Sequence, residues 1–157
     1  MSDSNHNTLV ICIGNRYRGD DAAGPFVARL LKEEASRDFK VVEESGEGAA
    51  LMERWRGASS VVIIDAVLSG VAPGTVHFLD AGRQTIPKKF FNYSTHAFGV
   101  AEALELARAL GELPSSIVVY GIEGKSFEAG GELSEEVERA AREVTSKVLQ
   151  YIRMGAA

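Results

Sequence analysis

Three short runs of apolar, largely β-branched residues constrain the fold more than any other feature of this sequence. They occupy residues 8–13, 60–66 and 116–120. None of them alternates between apolar and polar positions, so each predicts a strand that is buried on both faces of a sheet. Such strands are typical of parallel sheets that helices cover on both sides.

Helical periodicity occupies much of the sequence between and after these runs. It predicts helices over residues 22–34, 49–55, 98–110 and 134–152. Two weaker strands are expected over residues 39–44 and 75–79, and an irregular loop over residues 83–93. Ser134 precedes the last helix and is expected to be its N-cap. Strands alternating with helices predict a single-domain α/β/α sandwich whose twisted, mostly parallel sheet has about five strands.

Length, net charge and cysteine content argue against several classes of function. No linker or repeat divides the 157 residues, so we expect a flexible tail over residues 1–7 and one α/β domain over residues 8–157. The net charge of -5 argues against a global attraction to nucleic acid or to anionic lipid. No apolar run is long enough to span a membrane and no secretion signal is visible, so the expected location is the cytoplasm. The single cysteine, Cys12, excludes an internal disulfide and is expected to be buried in the first strand.

An acidic pair stands where the first predicted strand leads into the first predicted helix. The turn is rich in glycine, but it matches neither of the common phosphate-binding motifs. Asp20 and Asp21 would repel a phosphate from the N–H groups at the start of the helix, so a nucleotide site is disfavoured. One of the two residues can instead serve as the N-cap of that helix, because a cap needs a single carboxylate.

Two further polar residues lie where ligands bind in such folds. Asp65 follows the apolar residues of the second buried strand, where a carboxylate needs a hydrogen bond, a counter-charge or a metal. His96 lies just before the third predicted helix and can pair with a carboxylate or ligate a metal. The other histidines are weaker candidates, because His6 lies in the predicted tail and His77 lies within a short strand, where packing or contact with water accounts for it.

Together, Asp21, Asp65 and His96 form a possible ligand set for a divalent ion such as zinc, nickel or iron. Their separation along the chain is long, so the spacing alone does not establish that they converge. No HExxH motif and no GxSxG motif occurs, and Cys12 lies inside a strand. A nucleophilic hydrolase is therefore poorly supported.

Five blocks of residues follow one another in a distinctive order and spacing. They are Ile13-Gly14-Asn15, Gly19-Asp20-Asp21 with Gly24, Ile64-Asp65-Ala66, Ser94-Thr95-His96 with Gly99, and Tyr120-Gly121-Ile122-Glu123. In this order the blocks resemble those of the nickel–iron hydrogenase maturation endopeptidases. The resemblance spans about residues 8–152. Several family members carry Glu where this chain has Asp21. Many also carry Asp-Gly-Gly-Thr where this chain has residues 44–48, so this stretch is a partial departure that bears on substrate preference.

The resemblance implies a cytoplasmic peptidase with an α/β/α fold. It implies removal of a C-terminal extension from the hydrogenase large-subunit precursor after nickel insertion. It also implies that Asp21, Asp65 and His96 contact the metal and carry catalysis. Nickel is then supplied by the substrate, and the isolated protein is expected to take up zinc or cadmium only when these ions are in excess.

Other features of the sequence are assigned to the substrate, and two other functions stay open. Arg16, Arg18 and residues 83–93 are expected to grip the precursor tail. Four glycines, Gly14, Gly19, Gly46 and Gly48, are expected to let the backbone approach the docked peptide closely.

One alternative function is a non-catalytic, metal-sensing or chaperone-like domain that binds hydrogenase precursors. The other, weaker alternative is a nucleotide-binding domain. The partner hydrogenase, the cleavage site and the oligomeric state do not follow from the sequence.

Overall fold

The computed structural model describes residues 8–34, 38–91 and 93–155. Within these ranges the strands are β1 (Thr8–Ile13), β2 (Phe39–Glu44), β3 (Ser60–Val67), β4 (Val76–Asp80) and β5 (Ser116–Glu123). The helices are α1 (Ala23–Glu33), α2 (Gly48–Trp55), α3 (Val100–Leu110) and α4 (Glu135–Arg153). Two 3₁₀ turns cover Gly19–Ala22 and Lys88–Phe91. The predicted tail over residues 1–7, with His6, lies outside the described residues.

The strands form one mixed sheet in the order β2-β1-β3-β5-β4. All neighbours pair in parallel except β4, which runs antiparallel to β5 at the sheet edge. The three apolar runs become β1, β3 and β5, the central strands. The predicted α/β architecture with a mostly parallel sheet of about five strands is therefore confirmed.

Apolar residues on the two faces of the sheet form two separate core layers. One layer packs α1 and α4 against the sheet, and the other packs α2, α3 and the second 3₁₀ turn against the opposite face. Cys12 is fully buried in the first layer, as expected, and burial raises the pKa of its thiol far above the ordinary value. None of the helices within the described ranges is long and apolar enough to cross a bilayer.

Several element boundaries and one predicted loop differ from the sequence predictions. Strand β5 continues to Glu123, beyond the predicted run over residues 116–120, and hydrogen bonds from Ser69 satisfy the buried Glu123 carboxylate. The expected irregular loop over residues 83–93 contains the second 3₁₀ turn, which buries Phe90 and Phe91 against the core. Helix α3 begins at Val100 rather than residue 98, since Gly99 occupies the N-cap position.

Close packing against β1 fixes the turn that carries the acidic pair. A Cβ atom on Gly24 would lie 2.0 Å from the carbonyl oxygen of Ile13, so α1 starts in direct contact with the strand end. Gly14 has φ +151°, and a Cβ atom there would lie 2.0 Å from the carbonyl oxygen of Asp21. The first 3₁₀ turn is therefore seated on the carboxyl end of β1. In sheets of this topology the carboxyl ends of strands are where ligands bind.

Candidate active site

A cavity of about 530 Å³ opens at the carboxyl ends of β1, β2 and β3, beside the segment that leads into α3. Asp21, Asp65 and His96 all line it. The structure thus brings together three residues that are separated by up to 75 positions in the sequence. Their roles as metal ligands and catalytic groups stay a prediction.

Asp21 reaches the cavity from the first 3₁₀ turn and is only 7% exposed. Burial raises the pKa of its carboxyl group to about 6. The Arg18 guanidinium, the Tyr93 hydroxyl, the Asn15 backbone N–H and His96 favour the charged form and limit that rise. Asp21 therefore changes its protonation state close to neutral pH.

Asp65 lies near the end of β3 and is only 2% exposed. Burial raises the pKa of this carboxyl group well above its ordinary range, and the negative charge of Asp21 raises it further. A hydrogen bond with the Tyr93 hydroxyl acts in the opposite direction. Two buried carboxylates that repel each other favour either a bound proton or a bound cation.

His96 is held in the segment between the second 3₁₀ turn and α3. Its backbone N–H donates to Oγ of Ser94 at 3.1 Å, and its partly buried ring faces the cavity. The following turn is fixed by Glu102, which accepts a hydrogen bond from the Gly99 N–H at 3.0 Å and pairs with Lys88 at 3.2 Å. The imidazole therefore projects from an ordered helix start.

The two members of the acidic pair have different surroundings. Asp20 is fully buried and accepts hydrogen bonds from the backbone N–H groups of Lys125, Ser126 and Ser134 at 2.7, 3.1 and 2.8 Å. It also accepts a bond from the Ser134 hydroxyl at 3.0 Å. Asp20 thereby anchors residues 125–134, while its neighbour Asp21 faces the cavity.

These contacts bear on two predictions about helix caps. Neither Asp20 nor Asp21 caps α1, because Ala22 occupies the N-cap position and no side chain bonds there. Ser134 is the N-cap residue of α4, as predicted, but its hydroxyl bonds Asp20 and makes no capping hydrogen bond.

Tyr93 is a residue of the site that the sequence analysis did not single out. Its hydroxyl oxygen lies 2.9 Å from Oδ1 of Asp65 and 2.7 Å from the carbonyl oxygen of Ala66. Its ring stacks on Phe127 with the centroids 4.4 Å apart. Within the sequence, the only available signal was an aromatic residue just before the Ser-Thr-His block.

Most features that were assigned to the substrate have partners within the protein. Arg16 pairs with Glu43 at 2.7 Å, and Arg18 donates to the carbonyl oxygens of Phe127 and Tyr93. Internal packing accounts for three glycines, because a Cβ atom would collide with Asp21 at Gly14, with Ser126 at Gly19 and with Phe98 at Gly48. Gly46 lines the cavity beside His96. A role of these residues toward the substrate stays a prediction.

A second polar cluster lies outside the cavity and is structural. The buried Glu123 accepts hydrogen bonds from the backbone and hydroxyl of Ser69, both at 2.7 Å, and lies 3.1 Å from Nε2 of His77. Burial acts to raise the pKa of Glu123, but hydrogen bonds from Ser69, His77 and Gly70 outweigh it and the pKa is lowered. His77 therefore has a buried partner and is not merely packed or solvent-facing. This cluster ties the loop after β3 to β4 and β5.

Comparison with known proteins identifies the family. Residues 25–151 match the family model of HycI, hydrogenase maturation protease. The chain belongs to the hydrogenase maturation protease family. Protein FrxA from Pyrococcus furiosus is 34% identical over 141 residues, which cover 87% of this chain and 98% of FrxA.

Two solved structures of hydrogenase maturation proteases have the same fold. The hydrogenase-maturating endopeptidase HybD from Escherichia coli superimposes with a TM-score of 0.81 at 26% identity, covering 94% of this chain and 93% of HybD. The [NiFe] hydrogenase maturation protease HybD from Thermococcus kodakarensis has a TM-score of 0.69 at 27% identity, with 93% and 99% coverage. The resemblance in the sequence blocks is thus confirmed. An endopeptidase of hydrogenase maturation is supported over a non-catalytic binding domain.

The side chains of Asp21, Asp65 and His96 are of types that bind divalent ions, but they are not arranged as a complete metal site. Two carboxylates and an imidazole are donors that zinc and nickel accept. Across residues 8–34, 38–91 and 93–155, however, no group of three or more His, Cys, Asp or Glu side chains is arranged to hold a metal ion. The three cavity residues would therefore have to adjust to engage a metal together.

The contrast between the two adjacent acids predicts opposite effects of the same substitution. The raised pKa of Asp21 means that the folded state loses stability as the pH rises from about 4 to about 6. Asp21→Asn removes this loss, so above pH 6 the variant should be more stable than the wild type by about 1–3 kcal/mol, with no such gain below pH 4.

Asp20→Asn is the matched control, because it replaces an acceptor of four hydrogen bonds by an amide that also carries N–H donors. This variant should lose stability throughout pH 4–8. Urea denaturation at several pH values measures both effects. An Asp21→Asn variant that is less stable than the wild type by a constant amount at every pH would contradict the analysis.

Proposed function

We propose that this protease removes a C-terminal extension from the precursor of a nickel–iron hydrogenase large subunit, after nickel insertion, and that Asp21, Asp65 and His96 contact the nickel. The observation that carries the proposal is the shared cavity in which two buried carboxylates face an imidazole. The similar structure from Thermococcus kodakarensis is described as a [NiFe] hydrogenase maturation protease, which supports a nickel–iron hydrogenase as the class of substrate. The sequence resemblance supports a cytoplasmic location.

The electrostatics of the cavity favour a cation that arrives with the substrate. Asp21 raises the pKa of Asp65 through its negative charge, so the state in which both carboxyl groups are ionised is unfavourable. A divalent ion between them replaces this repulsion with two attractions. A precursor that carries nickel would therefore gain more from docking than a nickel-free precursor. In this way the cavity would test whether the metal has been inserted.

Peptide hydrolysis needs a polarised carbonyl and an acceptor for a proton of water. Nickel held by these residues would polarise the scissile carbonyl as a Lewis acid, and a carboxylate beside it would take the proton from the attacking water. That proton then passes to the leaving amine as the C–N bond breaks.

An exposed aromatic side chain, adjacent in sequence to cavity-lining residues, is suited to contact the precursor. Tyr17 is 76% exposed and lies between Asn15 and Arg18, which both line the cavity. Its backbone is held on both sides: the Tyr17 N–H donates to Oδ1 of Asn15, and the Tyr17 carbonyl accepts from the Gly130 N–H at 2.8 Å. An exposed aromatic residue on an ordered backbone can be buried by a partner at low entropic cost.

Cleavage of a purified, nickel-loaded precursor tests the proposed function. His96→Ala and Asp65→Asn should each slow processing by at least about a hundredfold, because they remove an imidazole and a negative charge from the cavity. Asp21→Glu should retain part of the activity, since relatives carry Glu there. His77→Gln is the control, because this substitution removes an imidazole outside the cavity. The variant should still process the precursor. Normal processing by both His96→Ala and Asp65→Asn would reject the proposed site.

Contact of the precursor with Tyr17 predicts a kinetic effect that differs from those of the cavity residues. Tyr17→Ser should raise KM for the precursor about five- to thirtyfold and leave kcat within about twofold, because Tyr17 touches none of the cavity carboxylates. Leu110→Ser is the control, since Leu110 is 56% exposed at the far end of α3. Steady-state cleavage kinetics give both constants. Equal KM values for Tyr17→Ser and the wild type would exclude this contact.

A further inference from the structure

The Tyr93 hydroxyl lies inside the catalytic cavity, yet no step of the proposed reaction uses it. It lies 2.9 Å from Oδ1 of Asp65, and its side chain lines the same cavity as Asp21. A phenol hydroxyl beside a carboxylate is a neutral hydrogen-bond donor.

The phenol donates its single proton to two acceptors at the end of β3, the Asp65 carboxylate and a backbone carbonyl. Its oxygen lies 2.7 Å from the carbonyl oxygen of Ala66, which can only accept a hydrogen bond. The contacts to Ala66 and Asp65 both lie at the end of β3, so the phenol joins the carboxyl group of Asp65 to the backbone beside it. This arrangement restricts the orientations that the Asp65 carboxyl group can adopt.

The ring of Tyr93 is held from behind. It stacks on Phe127 with an interplanar angle of 15°. The Arg18 guanidinium donates to the carbonyl oxygens of Phe127 and Tyr93, at 3.2 and 3.3 Å. Phe127 belongs to the loop that Asp20 anchors through Lys125, Ser126 and Ser134. The hydroxyl position is therefore set by the folded protein before any substrate arrives.

We propose that Tyr93 is a positioning residue, which holds the Asp65 carboxylate in the orientation that receives the metal of the substrate. The proposal rests on the proposed function of the cavity. Carboxylate ligands usually need such a hydrogen-bonding partner, and removing one typically lowers metal affinity by about 10- to 100-fold. The hydroxyl makes this contribution without itself touching the scissile peptide.

Tyr93→Phe tests the proposal, because it keeps the stacked ring and removes only the hydroxyl. Tyr120→Phe is the matched control, since Tyr120 is a buried tyrosine in the core layer of α1 and α4, on the opposite face of the sheet. Two quantities are measured for each variant and for the wild type. One is the affinity for Cd²⁺ alone by calorimetric titration, and the other is the single-turnover cleavage rate of nickel-loaded precursor at saturating enzyme.

The expected result is a Cd²⁺ dissociation constant about tenfold higher for Tyr93→Phe and a cleavage rate about tenfold lower. Tyr120→Phe should match the wild type in both. Wild-type affinity and rate in Tyr93→Phe would overturn the positioning role, and so would equal losses in Tyr120→Phe, which would show a general structural effect. Absence of cleavage by the wild type would reject the proposed function instead, and the Cd²⁺ titration would still decide whether Tyr93 positions Asp65.

Discussion

Two carboxyl groups share one cavity at the carboxyl edge of the sheet, and their mutual repulsion governs the rest of the site. Asp65 is almost fully buried and Asp21 nearly so, hence neither charge is well solvated. Burial raises the pKa values of both groups, and the negative charge of Asp21 raises that of Asp65 further. Two buried acidic groups of this kind are stabilised by bound positive charge, and a single proton neutralises only one of them. A divalent ion carried by the substrate neutralises both, which links the electrostatics of the cavity to the proposed selection of nickel-loaded precursor.

Maintaining such a pair requires support from distant parts of the chain. The first 3₁₀ turn places Asp21 against the end of β1, and the adjacent Asp20 secures the loop over residues 125–134. That loop supports Tyr93 through Phe127. One acidic dipeptide therefore contributes both a group that faces the cavity and the anchor for its wall. The partition explains why two neighbouring carboxylates are needed and why their substitution should have opposite consequences for stability.

The fold and the convergence of the site were predictable from the sequence to different degrees. Continuous apolar runs identify β1, β3 and β5, because only a strand covered on both faces needs such residues. Once these strands are parallel, residues that follow them must meet at one edge, which is how Asp65 and the acidic pair were found. The assignment of Asp20 to the loop and Asp21 to the cavity was not predictable. It depends on hydrogen bonds to residues more than a hundred positions away. Tyr93 was missed for the same reason, since its partners come from β3 and from the loop after β5.

The most direct test of the central claim is to locate a divalent ion in the protein itself. Crystals of the protease soaked in Cd²⁺ would be measured at a wavelength where cadmium scatters anomalously. The account predicts an anomalous peak between Asp21, Asp65 and His96, within coordinating distance of all three side chains, and its absence from crystals of Asp65→Asn treated identically. A peak that persists in Asp65→Asn, or cadmium bound only at other positions of the wild type, would contradict the assignment of this cavity to the metal of the substrate.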